Sequence, residues 1–389
     1  MTLALTPDYI DAVAWRHDFH AHPELAFHEH RTAELIATKL REFGLFVETG
    51  IGKTGVVGKL RGALGPGKSI AIRSEMDALP ILETSGVKYA SSFSGKMHAC
   101  GHDGHAAILL EAARRLAENP HFYGTVNFIF QPAEEQEGGA KAMLEDGLIE
   151  RFPFEYIWAI HNWPDLPIGK IGVRAGPMLA AMDAFDIDIK GRGGHAGLPH
   201  KTIDPIAIGA QLINSIYNQV SRRLDATQGG LCSITKFTSG TTHNVIPEDA
   251  RLAGTVRSLH ECTRAVIEEI ISDQSKAAEV GSDVKVTLDY RRGYPACIND
   301  SEATEIAKNC AVSLLGDENV IVDVSPSMGT EDFAYYLQEV PGSFLLVGQA
   351  DGSNSPALHT PQYDFNDDII PIGVEFWLTL VQSQLGLQK

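Results

Sequence analysis

Four short segments of this 389-residue chain carry the residues that can do chemistry. The densest is His98-Ala99-Cys100-Gly101-His102-Asp103-Gly104-His105. A cysteine and a histidine two apart can face one ion from a turn, because thiolate and imidazole both ligate zinc and similar metals. Gly101 lets the backbone bend tightly, and Asp103 can orient a ring nitrogen of His102 from behind. The competing reading is an ordinary helix start, with Asp103 as its cap and the histidines in solvent. The second segment, Gln131-Pro132-Ala133-Glu134-Glu135-Gln136-Glu137, follows an apolar run ending at Phe130. Adjacent carboxylates can divide the labour, one ligating metal while the other moves a proton from water to a leaving amine. The alternative there is a solvated acidic loop. His161-Asn162, just past another apolar run, and Leu358-His359-Thr360-Pro361 complete the set, and each alone reads as structural.

The elements that must position them follow from periodicity. Apolar residues recur at helical spacing over 9–43, broken by a His-rich turn at 20–24. Strands are predicted at 55–60, 69–73, 125–130 and 156–160, and helices at 104–118 and 140–149. This alternation predicts a mostly parallel sheet covered by helices, and such sheets gather their β/α loops on one edge. From 182 to 293 the order changes to strand 184–190, helix 205–220, strands 232–238 and 249–256, helix 262–280 and strand 284–290. That β-α-β-β-α-β order is ferredoxin-like. The β/α pattern resumes with helix 301–315, strand 343–347 and helix 371–385. The expected fold class is therefore α/β: a discontinuous catalytic domain, 1–181 and 294–389, interrupted by an α+β lid at 182–293.

A net charge of −18 argues against nucleic acid, which requires clustered Lys and Arg. No stretch approaches the ~20 apolar residues of a membrane span, and residues 1–15 lack the basic start and apolar core of a signal peptide. Five unevenly spaced cysteines suit a reducing compartment. The expectation is a cytoplasmic enzyme that binds neither nucleic acid nor membrane.

The ordered motifs resemble those of peptidase family M20 amidohydrolases, in the branch holding hippurate hydrolase and auxin-conjugate hydrolases. They begin at His22-Pro23-Glu24-Leu25 and Met76-Asp77-Ala78-Leu79-Pro80, and include the Cys100, Glu134 and His161 segments already described. They continue through Gly191-Arg192-Gly193-Gly194-His195-Ala196, His243-Asn244-Val245-Ile246-Pro247 and Gly254-Thr255-Val256-Arg257 to Met328-Gly329-Thr330-Glu331-Asp332-Phe333 and His359. The resemblance implies a metallopeptidase-type catalytic domain whose inserted lid also dimerises. It implies two divalent ions held by Cys100, His102, Glu135, His161 and His359, with the Cys100 sulfur bridging. Manganese is the ion expected of this branch, with zinc, cobalt or nickel as alternatives. Glu134 is the implied general base and acid, His195 and Asn244 oxyanion donors, and Arg257 the grip on a substrate carboxylate.

The implied reaction is hydrolysis of the amide bond of small N-acyl amino acids by a homodimer, with a tetramer as the alternative. Competing activities are a dipeptidase or carboxypeptidase, hydrolysis of an unusual C–N bond such as that of an aromatic amine, and metal-dependent binding without catalysis. Three departures from the family pattern bear on substrate preference: Glu75 stands where the branch usually has Asp, Ala106 replaces a common Thr, and Gly194 and Gly197 loosen the lid turn. Glu75 is not placed among the ligands.

Overall fold

A computed structural model of the chain describes residues 5–281, 283–352 and 356–386. It contains two compact units. The first runs to Gly176 and takes in Ile298–Ser325 and the chain from Asp332 onward; the second is Pro177–Cys297 with Pro326–Glu331. The return segment Pro326–Glu331 has no signal in local periodicity. It joins the second unit through backbone bonds from Ser327 to the Met178 carbonyl and from Ala180 to the Gly329 carbonyl.

The first unit is built on an eight-stranded sheet. Its strands lie in the order Phe46–Ile51, Gly55–Arg61, Thr125–Gln131, Ser69–Glu75, Tyr156–Pro167, Gly342–Ala350, Ile171–Val173 and Val320–Val322. The strands from Thr125–Gln131 to Gly342–Ala350 are mutually parallel. They read as continuous apolar runs because helices bury both faces. Four of the seven pairings are parallel, as the β/α alternation implies; the three antiparallel ones join Phe46–Ile51 to Gly55–Arg61, Gly55–Arg61 to Thr125–Gln131, and Gly342–Ala350 to Ile171–Val173. The sheet is mixed: Gly55–Arg61 is among the expected strands, Phe46–Ile51 is not, and Ile171–Val173 and Val320–Val322, with three residues each, are too short to show a period. The helix expected at 140–149 is instead two, Gly139–Glu145 and Leu148–Arg151, split where Gly147 takes φ 82°.

Helix His102–Glu118 lies at the centre of this unit, buried on nearly every side by Ala and Leu, against helices Ile10–Ala21 and Ile370–Leu385. Its N-terminus is thereby fixed at the carboxyl edge of the parallel strands, where such sheets place their sites.

The second unit has a four-stranded antiparallel sheet in the order Gly230–Ser239, Asp249–Ser258, Ala181–Lys190, Lys285–Arg292, with helices Pro205–Arg223 and Glu261–Glu279. This is the strand order of a ferredoxin-like sandwich. Asp183, 1 % exposed, ties it together. Its carboxylate accepts from Arg264 Nε at 3.0 Å, the Tyr290 hydroxyl at 2.7 Å and the Gly293 N–H at 3.1 Å. Asp183→Ala, which leaves the Arg264 guanidinium buried without this partner, is expected to cost about 3–5 kcal/mol. Urea denaturation should show a lower first midpoint; an unchanged midpoint contradicts the role.

Candidate metal centre

Gly101 makes the site's first turn. It sits at φ 95° before helix His102–Glu118, and a Cβ there would lie 2.2 Å from Asn162 Oδ1 and 2.8 Å from the Tyr363 hydroxyl. No other residue fits both the conformation and the space. The turn sets Cys100 beside His102, and the two form a potential ligand group with His161. Cys100 also groups with Glu135 and His359, and His102 with Glu134 and Glu135; within each group the donor atoms lie within 4.8 Å of one another. Cys100 Sγ is 3.4 Å from His161 Nε2 and 3.3 Å from His359 Nε2. His359 itself has φ 63°, and its N–H donates to the Ala99 carbonyl at 2.7 Å, joining the two loops. The donor set thus forms two groups, Cys100–His102–His161 and Cys100–Glu135–His359, that have Cys100 in common.

His161 lies within strand Tyr156–Pro167 and not beyond its end. Its Nδ1–H donates to the Asn162 carbonyl at 2.7 Å, which leaves Nε2 with its lone pair facing Cys100 Sγ. The backing of His102 also differs from expectation. Its Nδ1 meets the Asp77 carbonyl at 2.9 Å and Asp77 Oδ1 at 3.2 Å, while Asp77 Oδ2 accepts the Glu135 N–H at 2.9 Å. Asp103 points elsewhere, to Arg16 Nε at 2.9 Å and His20 Nδ1 at 2.8 Å, and makes no cap. Successive helical side chains diverge by ~100°, so a neighbour in sequence cannot back the same ring.

The site is anionic. Burial pushes the Cys100 thiol well above its ordinary value, and the Glu135 and Glu134 carboxylates push it further. Burial alone would lower His102, but the Asp77 hydrogen bond and the charges of Glu75, Asp77 and Glu135 raise it to about 10. His161 is held neutral, pushed down to about 3 by burial and by the charge of His105. Among the described residues His102 Nε2 is buried without a hydrogen-bond partner, with Glu134 and Glu135 carboxylate oxygens both 4.0 Å away. A buried polar atom left so costs ~1–3 kcal/mol. Cations at these donors would satisfy it and take the thiol as thiolate, so the residues present fit divalent metal ions.

A deeper layer escaped sequence reasoning. Glu75 pairs with Arg73 and lies 3.0 Å from His105 Nδ1, and His105 Nε2 lies 2.8 Å from Asn162 Oδ1. Arg73 also donates to Gln131 at 2.8 Å and to Asp332 at 3.0 Å. The usable signal was position: Glu75 and Asp77 end or follow strand Ser69–Glu75 at the same carboxyl edge as Glu134.

His195, Asn244 and Arg257 belong to the second unit. There Gly194–His195 pairs with Val245–Ile246, and the Ala196 N–H donates to the Asn244 carbonyl, so the first two share one exposed turn. The Gly197 N–H donates to His195 Nδ1 at 3.0 Å, which puts the proton of a neutral ring on Nε2. Gly197 serves this close approach, since a Cβ there would lie 3.2 Å from the ring. Arg257, half-buried in strand Asp249–Ser258, donates to Thr255 and to the Val256 carbonyl, with no ion pair among the described residues. Burial lowers its pKa from the usual guanidinium value.

The sequence pattern of Peptidase family M20/M25/M40 matches residues 71–383. A thermostable carboxypeptidase 2 of Saccharolobus solfataricus is 39% identical over 369 residues, covering 92% of this chain and 91% of the relative. A hippurate hydrolase of Campylobacter jejuni is 38% identical over 370 residues, covering 95% of each. Among solved structures, a Bacillus subtilis protein described as a dinuclear metal binding peptidase from the M20 family superposes with a TM-score of 0.84 at 34% identity, over 96% of this chain and 97% of that one. Asp77→Ala should weaken metal binding ~10–100-fold by freeing His102 and the Glu135 backbone. Competition with a chelating indicator reads this directly, and an unchanged affinity removes Asp77 from the site.

Proposed function

The chain belongs to peptidase family M20/M25/M40, and from that premise we propose that it is a two-metal amidohydrolase cleaving small N-acyl amino acids to a carboxylic acid and an amino acid. The observation that carries this reading is that Cys100 belongs to two potential ligand groups, one with His102 and His161 and one with Glu135 and His359, with the Glu134 carboxylate 4.0 Å from His102 Nε2. Those five are the proposed ligands.

Bound divalent ions would acidify water and polarise the amide carbonyl. Glu134, 6 % exposed at the edge of the cluster, accepts the proton of the attacking water and returns it to the departing nitrogen. His195 Nε2–H and the Asn244 amide donate to the oxyanion as it develops. Arg257, with no carboxylate of its own among the described residues, takes the substrate's. Manganese is the proposed ion, with zinc, cobalt and nickel as alternatives, since thiolate favours zinc and carboxylate accepts manganese.

The carboxypeptidase relative supports a second reading, in which the acyl group is itself an amino acid or peptide. A homodimer is the proposed assembly, supported by Ile206, Tyr217 and Phe237, exposed apolar side chains on the second unit. Five free cysteines support a reducing, cytoplasmic location. Among the described residues no helix is long and apolar enough to cross a membrane.

Protein stripped with a chelator should release no glycine from N-benzoylglycine until manganese is restored. Release only from dipeptides would transfer the assignment to the second reading. Glu134→Gln should lower kcat by ~10²–10⁴ with metal content unchanged; undiminished turnover would remove Glu134 as the proton carrier.

A further inference from the structure

We propose that Glu29 positions Glu134, by holding the backbone of Ala133 in the left-handed conformation that aims the next side chain into the site. The inference rests on the reading of Glu134 as proton carrier. Glu29 is 0 % exposed and lies outside every potential ligand group. Its Oε1 accepts the N–H of Ala133 at 2.9 Å and that of Phe27 at 3.0 Å, and its Oε2 accepts the Thr54 hydroxyl at 2.6 Å.

Both backbone donors are non-glycine residues at positive φ, Phe27 at 58° and Ala133 at 52°. Lys53, next to Thr54, is a third at 80°. L-residues adopt this conformation only against a steric cost, and it persists where the surroundings hold it. One carboxyl therefore holds strained backbone in two separate loops. The Ala133 carbonyl is also engaged, by the Gly139 N–H at 3.0 Å. On the strand side, Asp332 accepts from the Gln131 amide at 2.8 Å and from the Ala140 N–H at 2.9 Å. The Glu134 loop is thus pinned at both ends, and Glu29 holds the residue immediately before the carboxylate. Burial pushes the Glu29 carboxyl up to about 7, and the clamp lies in the reach of Oε1, which accepts both backbone N–H groups.

The test compares Glu29→Ala, Glu29→Gln and Glu29→Asp in the metal-loaded enzyme, by kcat and KM on N-benzoylglycine, metal content, and hydrogen exchange of the 131–139 segment. A reacting group misplaced by ~1 Å can cost ~100-fold. E29A is expected to lose at least ~10-fold in kcat, with KM and metal content held and exchange accelerated. E29Q, which keeps an oxygen in place, should stay within ~3-fold of the parent, and E29D, which falls short of both N–H groups, should follow E29A. Metal-loaded E29A at parental kcat, or E29D active while E29Q is not, overturns the proposal; the second result would mean that charge matters and reach does not. If E29A does not fold, the order of E29Q and E29D decides. If the parent itself hydrolyses no acyl amino acid or dipeptide, the amidohydrolase reading fails separately. The clamp then stands on faster exchange in E29D than in E29Q, and falls if their exchange is equal.

Discussion

Cys100 Sγ lies 3.4 Å from His161 Nε2 and 3.3 Å from His359 Nε2, and it is the atom shared by two potential ligand groups, one with His102 and His161 and one with Glu135 and His359. A buried thiol ringed by carboxylates is an awkward thing to build. Burial and the Glu135 and Glu134 charges all oppose its ionisation, whereas a metal ion favours the thiolate outright. The surrounding architecture is arranged to hold ligands at this one point. Helix His102–Glu118 is buried so that its first turn cannot shift, Gly101 takes a backbone shape that no side chain could share, and the His359 loop is bonded to Ala99.

Around that point the charges are layered. Asp77 holds both His102 and the Glu135 backbone, so one carboxylate sets the geometry of two proposed ligands. Behind it, Arg73 with Glu75, Gln131 and Asp332 fixes the ends of adjacent parallel strands. On the other side of the helix start, Arg16 and His20 compensate Asp103. Burial alone would lower His20, but its bonds to Asp103 and Glu83 raise it to about 9. Each such group is costly to bury alone, and the expense is met only because every layer is paired. Glu75, one methylene longer than an Asp, falls in this layer. Its longer side chain spans from Arg73 to His105, which makes it part of the support of His161 and Asn162.

Much of this was legible from local pattern. The central strands are continuous apolar runs and the helices carry clear periodicity, so most of these elements are legible to within a few residues; strand Tyr156–Pro167 runs seven residues past its expected end at 160. The β-α-β-β-α-β order implied the sheet of the second unit, because that order allows few right-handed, uncrossed arrangements. Misses fell where local pattern is weakest. Phe46–Ile51, Ile171–Val173 and Val320–Val322 are short strands placed by their neighbours, and Gly147 breaks a helix that composition alone would continue.

Residue type and spacing determined which donors this protein has: a thiol and an imidazole two apart, a pair of carboxylates, and two further histidines. These properties are local, and the chemistry of sulfur, nitrogen and oxygen ligands limits what they can bind. Only the tertiary structure decided what stands behind each donor. It chose Asp77 and not Asp103 to orient His102, because neighbouring side chains on a helix turn away from each other while a strand end 25 residues earlier is folded against the ring. It also brought Glu29 to the N–H of Ala133, 104 residues away in the chain. Contacts over such separations depend on how strands are ordered in the sheet, and no window of sequence contains that order.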